Sequence, residues 1–209
     1  MKISKKMTIA TTAVTLIPCL IGLALWNRLP GQVPTHWNFK NQIDGYSSKA
    51  MLVFGIPAFM AAMQLFLLFM CQNDPKGQNI SRRLFQLIAW ILPVISVVLT
   101  SISYGIAMGF SINVGKIVNI MLGLLFIGVG NYLPKSKQSY TTGLKMPWTL
   151  SSEENWNRTH RLAGRLWMLG GALFIVNAFW PSQWLFFLVL ILISGIPGAY
   201  SYWLYRKGI

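Results

Sequence analysis

Apolar positions run along this chain in stretches the length of a bilayer crossing. Residues 7–26 carry no charge, and 51–71 hold only Gln64 as a strongly polar side chain. From 84 to 133 the chain is apolar apart from an interruption around 110–116, too long for one span and suited to two, at about 84–108 and 114–133. Residues 163–180 follow, then a Pro-Ser-Gln break, then 184–205. A span takes roughly 20 apolar residues, so six transmembrane helices are expected. Pro18, Pro57, Pro93 and Pro197 fall inside these runs, which a membrane bundle tolerates when neighbours satisfy the carbonyls that proline frees. Gly105-x-x-x-Gly109, Ser101-x-x-x-Gly105 and Ser194-x-x-x-Gly198 are spacings that allow close helix approach. No internal repeat is evident.

Composition supports the same class. Of the 209 residues, 54% are hydrophobic and 11% charged, against about 25% charged in a soluble domain. Eighteen Lys and Arg against four Asp and Glu give a net charge of +14, but so few charges with so much apolar surface exclude a nucleic-acid-binding domain and a disordered chain. The expected class is all-α, a polytopic helical bundle forming one membrane domain.

The basic residues orient it. Lys2, Lys5, Lys6, Lys76, Arg82, Arg83, Lys135, Lys137, Lys145, Arg158, Arg161, Arg165, Arg206 and Lys207 fall on one side, and Arg28, Lys40, Lys49 and Lys116 on the other. The bias places both termini in the cytoplasm. Gly22-Leu23-Ala24 resembles a weak signal-peptide cleavage site, but the apolar run exceeds the usual 7–15 residues and is expected to be retained. Cys19 and Cys71 lie towards opposite faces, so no disulfide is expected. Two Cys and two His show no metal-ligand spacing, and neither a metal nor a cofactor is expected.

None of the four acids, Asp44, Asp74, Glu153 and Glu154, lies in an expected span, whereas proton-coupled carriers place ionisable groups at mid-membrane. Function is therefore expected in the loops, 27–50 outside and 134–162 inside. In the outer loop, Pro30 and Pro34 favour extended backbone. Val33, Thr35, Trp37 and Phe39 then alternate with Pro34, His36 and Asn38, and Asp44-Gly45 signals a tight turn. A small hairpin cap results. Its aromatics can anchor in the headgroup layer, or Trp37 and Tyr46 can join His36 and Asp44 in a recognition surface. A catalytic His–Asp pair would need a nucleophile beside it, and none is placed there.

In the inner loop, Ser151 followed by Glu154 forms a capping box and Glu154→Arg158 an i,i+4 ion pair. Trp156, His160, Ala163 and Trp167 share one helical face. An amphipathic cytoplasmic helix is expected to lie along the membrane and turn into the fifth span. Its basic face suits anionic lipid, while Trp148, Trp156, His160 and the two Glu make a cluster suited to docking a cytoplasmic partner. Glu153-Glu154-x-x-x-Arg158 also spells the first motif of prenyl-protease-like intramembrane proteases, but no His follows His160 to complete such a site. A permease or intramembrane protease-like enzyme is the alternative to a non-enzymatic binding protein.

Two longer patterns carry a family resemblance. Leu29-Pro30-x-x-x-Pro34-x-His36-Trp37-Asn38 with Asp44-Gly45-Tyr46-x-Ser48-Lys49 is the first. The second runs from Gly130-Asn131-Tyr132-Leu133-Pro134-Lys135 through Pro147-Trp148-Thr149-Leu150-Ser151 to Asn155-Trp156-x-x-Thr159-His160-Arg161-x-Ala163-Gly164-x-Leu166-Trp167. Together they resemble the extracellular and cytoplasmic signatures of the SdpI family. Leu144-Lys145 stands where that family often has Ile-Arg, a departure that keeps the cation. The resemblance implies an immunity protein that protects a bacterium from a secreted antimicrobial peptide toxin. It also implies a membrane receptor that sequesters a small DNA-binding repressor, with no direct contact to nucleic acid. Toxin recognition would then fall to Pro34, His36, Trp37, Asn38, Asp44 and Tyr46. Repressor docking would fall to Asn131, Pro147, Trp148, Glu153, Glu154, Trp156, Thr159, His160 and Arg161.

Overall fold

The computed structural model describes residues 4–209; Lys2, one of the cations in the topology bias, lies outside the described residues. The fold is an all-helical membrane bundle with one two-stranded sheet. Among the described residues, five helical segments are long and apolar enough to cross a membrane: Lys5–Ala24, Met51–Gln72, Arg82–Ala107, Val114–Lys135 and Gln183–Arg206. The expected fifth span, 163–180, falls largely within the later part of one continuous helix, Glu153–Asn177. After Arg165 this helix has only twelve residues before its end at Asn177, too few for an apolar span by themselves, and no break separates the amphipathic part from the apolar one. The chain divides into two compact units, one of residues 4–69 with 88–115 and the other of 70–87 with 116–209.

The first unit starts with α1 (Lys5–Ala24), followed by the strands β1 (Gln32–Trp37) and β2 (Ile43–Ser48), a π-turn (Met51–Gly55), α2 (Ile56–Gln72) and α3 (Arg82–Ala107). The helix ends beyond Phe69 and before Ile88 belong to the second unit. Two of the carbonyls that the expected prolines free, those of Ala89 and Ile193, are met by side-chain donors. Pro93 leaves the Ala89 carbonyl without its helical donor, and buried Gln64 Nε2 donates to it at 2.7 Å. Around Pro18, Ser96 Oγ donates to the Thr15 carbonyl and Tyr104 Oη to that of Pro18 itself, both from α3. Leu29 and Val33 pack with Leu52, Val53 and Tyr104 in a core that seats the hairpin on its unit.

The hairpin forms, but its turn is not Asp44-Gly45. β1 and β2 pair antiparallel, with Trp37 opposite Ile43, so the reversal lies at 38–42. Asn38 organises it: its Oδ1 accepts from the N–H groups of Lys40 (2.9 Å) and Gln42 (3.0 Å), an Asx-type turn. Asn41 takes a left-handed φ of 60° there. Its Oδ1 then accepts from the Val114 (2.8 Å) and Gly115 (3.2 Å) N–H groups, capping the helix that begins at Val114. Register shifts on either side of His36 interrupt the expected alternation, and Val33 and Pro34 are both buried.

The second unit holds most of α4 (Val114–Tyr132), then a one-turn helix α5 (Pro147–Ser151), α6 (Glu153–Asn177), α7 (Gln183–Leu190), a second π-turn (Ile191–Gly195) and α8 (Ile196–Arg206). Pro197 frees the Ile193 carbonyl, and Trp167 Nε1 donates to it at 2.8 Å. The close crossing is not at the expected small-residue spacings, since a Cβ at Gly109 or Gly198 would meet open space. It lies between Gly123 and Gly130 of α4 and Gly164 and Gly171 of α6, where an added Cβ would come within 2.6–3.0 Å of the facing backbone. The α6 cap is Ser152, whose hydroxyl accepts from Asn155 N–H (3.2 Å); the expected cap, Ser151, ends α5 because Pro147 nucleates a separate turn.

Replacing Asn41 by Ala removes both the left-handed preference and the cap. Exchange of the Val114 and Gly115 amides should quicken roughly fivefold, the equivalent of about 1 kcal/mol. Unchanged exchange there would show that the hairpin does not cap α4.

Candidate functional site

The hairpin presents a polar and aromatic strip. Thr35 on β1 and Asp44 on β2 are the unpaired residues of the two register shifts, leaving Gly45 opposite His36. A Cβ at Gly45 would come within 2.7 Å of His36 Cβ, so glycine is what lets the strands close there. Asp44 Oδ1 then meets His36 Nδ1 at 2.5 Å, with 72% of the His and 41% of the Asp side chain exposed. Phe39 and Tyr46 are each 61% exposed. Of the six expected recognition residues, His36, Asp44 and Tyr46 are exposed, Trp37 and Asn38 half-buried and Pro34 buried. Asn38 is occupied with the turn. Lys49 fixes the base of the hairpin: its Nζ donates to the Trp26 carbonyl (3.3 Å) and lies 4.7 Å from the Trp26 ring.

The other signature folds into a polar core. Asp74, just beyond α2, accepts four hydrogen bonds: from Ser139 Oγ (2.6 Å), Thr141 N–H (2.8 Å), Thr141 Oγ1 (2.7 Å) and Lys76 N–H (2.7 Å). Burial acts to raise its pKa, but these donors together hold the carboxyl below the usual range. Gln138 is a second node. It accepts from Lys76 Nζ (2.6 Å), donates to the Thr149 carbonyl (2.8 Å) and offers its own carbonyl to Asn79 Nδ2 (2.8 Å). Neither Asp74 nor Gln138 stands among the residues expected from sequence; an acid two residues past a span, facing a Ser/Thr-rich loop, was the available signal.

On α6, Trp156 is fully buried and donates from Nε1 to the Ser136 carbonyl (2.9 Å). His160 stacks on it, ring centroids 3.9 Å apart. The Leu144 N–H donates to His160 Nε2 (2.9 Å), so the proton sits on Nδ1 and is given to the Trp156 carbonyl (2.8 Å). Burial pushes His160 down to about 4, against the raising effect of that last bond. Gly143, at φ +99°, closes over the pair; a Cβ there would come within 2.5 Å of His160 Nε2. Asn155 completes the core by donating to the Ser201 and Ile209 carbonyls, both at 3.0 Å. Trp148 packs its ring against Tyr202 and Tyr205 of α8.

The nine expected docking residues therefore separate. Trp156, Thr159 and His160 are buried and Trp148 is half-buried, while Asn131, Pro147, Glu153, Glu154 and Arg161 are exposed. Glu154 is held by Arg158 at 2.5 Å, as expected from their spacing. A cleft of about 300 Å³ opens beside Glu153, lined by Asn79, Lys137, Gln138, Trp156 and Asn157. Among the described residues no group of three or more His, Cys, Asp or Glu could hold a metal ion.

With this geometry in view, similarity to known proteins is informative. The model of the SdpI/YfhL protein family matches residues 135–201, the segment that builds the polar core. The model of a domain of unknown function (DUF1648) matches residues 13–61, which hold the hairpin. The immunity protein SdpI of Bacillus subtilis (strain 168) is 24% identical over 205 residues, covering 97% of each chain. The SdpI resemblance read from the two loop patterns thus stands on both a family match and an end-to-end relative, in a multi-pass protein of the bacterial cell membrane. No solved structure matches.

In the segment that the SdpI/YfhL model matches, His160 is neutral when folded and titrates near 6.5 when unfolded. Between about pH 6.5 and 4 the unfolded chain binds the extra proton, so stability is lost as pH falls through that window, by about 3 kcal/mol in full. Thermal melts in detergent should show this loss, and His160→Gln should flatten it; equal pH slopes would contradict the assignment. Gly143→Ala should cost roughly 2–4 kcal/mol through left-handed strain and overpacking, read as a lowered Tm at pH 7.

Proposed function

We propose that this chain is an immunity protein that protects its cell from a secreted peptide toxin and reports the toxin's presence to a cytoplasmic repressor. The observation that carries the reading is the end-to-end match to the immunity protein SdpI. The basic-residue bias places the termini and the polar core in the cytoplasm and the hairpin outside. The toxin-facing surface is the exposed strip of His36, Asp44 and Tyr46, with Trp37 at its edge and Phe39 extending it. Pro34 and Asn38 serve by shaping the strands and the turn.

Inside, the repressor docks on the exposed members of the signature: Asn131, Pro147, Glu153, Glu154 and Arg161. Trp148, Trp156, Thr159 and His160 act from beneath by holding that face in shape. The protein works by binding and carries no chemistry of its own: both ring nitrogens of His160 are committed to backbone groups, and Glu154 is committed to Arg158.

Expression in a sensitive bacterium, challenged with the matched toxin, tests the two surfaces separately. Tyr46→Ala and His36→Ala should each reduce the protective toxin concentration about tenfold, the loss of one well-placed contact. Glu153→Lys with Arg161→Glu should abolish repressor recruitment to membranes while protection stays. Full protection by the hairpin variants, or joint loss of both functions in the inner variant at normal membrane levels, would overturn this division.

A further inference from the structure

Two spans contain Gly-Ile-Pro, and they are built alike. Leu52-Val53-Phe54-Gly55-Ile56-Pro57 and Leu192-Ile193-Ser194-Gly195-Ile196-Pro197 share Leu, Gly, Ile and Pro, with a β-branched residue after the Leu. Each follows the first residue of a π-turn. In each, the isoleucine before the proline donates its N–H five residues back, Ile56 to the Met51 carbonyl and Ile196 to that of Ile191. The cause is shared: proline has no N–H for the carbonyl four residues earlier and its ring crowds that carbonyl, so the turn widens.

The packing repeats as well. The third residue of each turn, Val53 or Ile193, is buried against a glycine of the preceding long helix. A Cβ at Gly22 would come within 2.7 Å of Val53, and one at Gly170 within 2.6 Å of Ile193. The arms beyond the two contacts also correspond. Gly22 lies two residues from the end of α1, and its π-turn begins three residues after β2. Gly170 lies seven residues from the end of α6, and its π-turn follows the eight residues of α7. Both arms of the second crossing are thus longer by a similar amount, and the β-hairpin stands where the first crossing is short. Sequence, hydrogen bonding and partner glycine agree, while the arms differ in length.

We infer that this chain contains one helix-crossing module twice, and that each Gly-Ile-Pro π-turn is a hinge within its span. A turn without a complete i→i−4 ladder, ending on glycine, bends where ordinary helix does not. At the first hinge the hairpin side is tied down by the Asn41 cap and by Lys49 on Trp26, so α2 is the moving part. At the second, Trp167 bonds the carbonyl that Pro197 frees and acts as a latch.

Distances between paired spin labels test this in bilayer nanodiscs, with Cys19 and Cys71 replaced by Ala. Labels at Tyr46 and Leu65 bracket the first turn, and labels at Leu188 and Tyr202 the second; helix rise sets the second pair about 21 Å apart. The distributions should narrow at least twofold in Pro57→Ala and Pro197→Ala respectively, where the new N–H completes the ladder. Trp167→Phe should broaden the second. Where a proline variant does not fold, Gly195→Ala serves, because its Cβ meets only ordinary contact at 3.5 Å; it should also narrow the second distribution. Distributions already narrow in the native chain, or unchanged by these substitutions, would overturn the hinge. No toxin or repressor enters this measurement, so it stands apart from the proposed function.

Discussion

A carboxylate that leaves bulk water needs donors in its place, and Asp74 takes four of them within 2.6–2.8 Å. Three come from Ser139 and Thr141, so the loop after α4 is wound onto the end of α2 by one acid. That winding sets Gln138 where it can hold α5 through the Thr149 carbonyl and leads the chain on to Gly143 and Leu144, which close over His160. The same demand for partners recurs where proline breaks a helix: Gln64 answers Pro93, and Trp167 answers Pro197. In a chain with so few charges, polar side chains are spent mainly on satisfying backbone and one another.

This changes the meaning of the SdpI signature. Its most distinctive residues, Trp156, Thr159 and His160, are interior. They hold a shape, and the face that a partner could meet is made by less distinctive neighbours such as Glu153 and Arg161. At the hairpin the relation is reversed. Asn38 and Gly45 do the shaping, while His36, Asp44 and Tyr46 remain open to contact.

Much of this was legible in the sequence, and the failures have physical causes. Apolar run lengths located the five helices long and apolar enough to cross a membrane to within a few residues, because bilayer thickness leaves little freedom. The fifth run, 163–180, was readable as apolar but not as the direct continuation of the amphipathic stretch in α6, since the two join without a helix breaker. The hairpin was legible from Pro30, Pro34 and the alternating aromatics. Its turn was misplaced because Asp-Gly also suits a bulge, where Asp44 turns to His36 and Gly45 admits the facing strand. The Gly123 and Gly130 crossing escaped a search for four-residue spacing because its glycines stand seven apart. The Asp74 node escaped because three of its four hydrogen bonds come from more than sixty residues away, and the repeated π-turns because the arms around them differ in length.

The most direct test of the account is limited trypsin digestion of the native protein and Asp74→Ala in detergent. Loss of the carboxylate should release the loop, so cleavage after Lys137 and Lys145 should quicken at least tenfold while cleavage after Lys40 in the hairpin stays constant. Equal cleavage after Lys137 and Lys145 in both proteins would contradict the claim that Asp74 holds the loop after α4 in place.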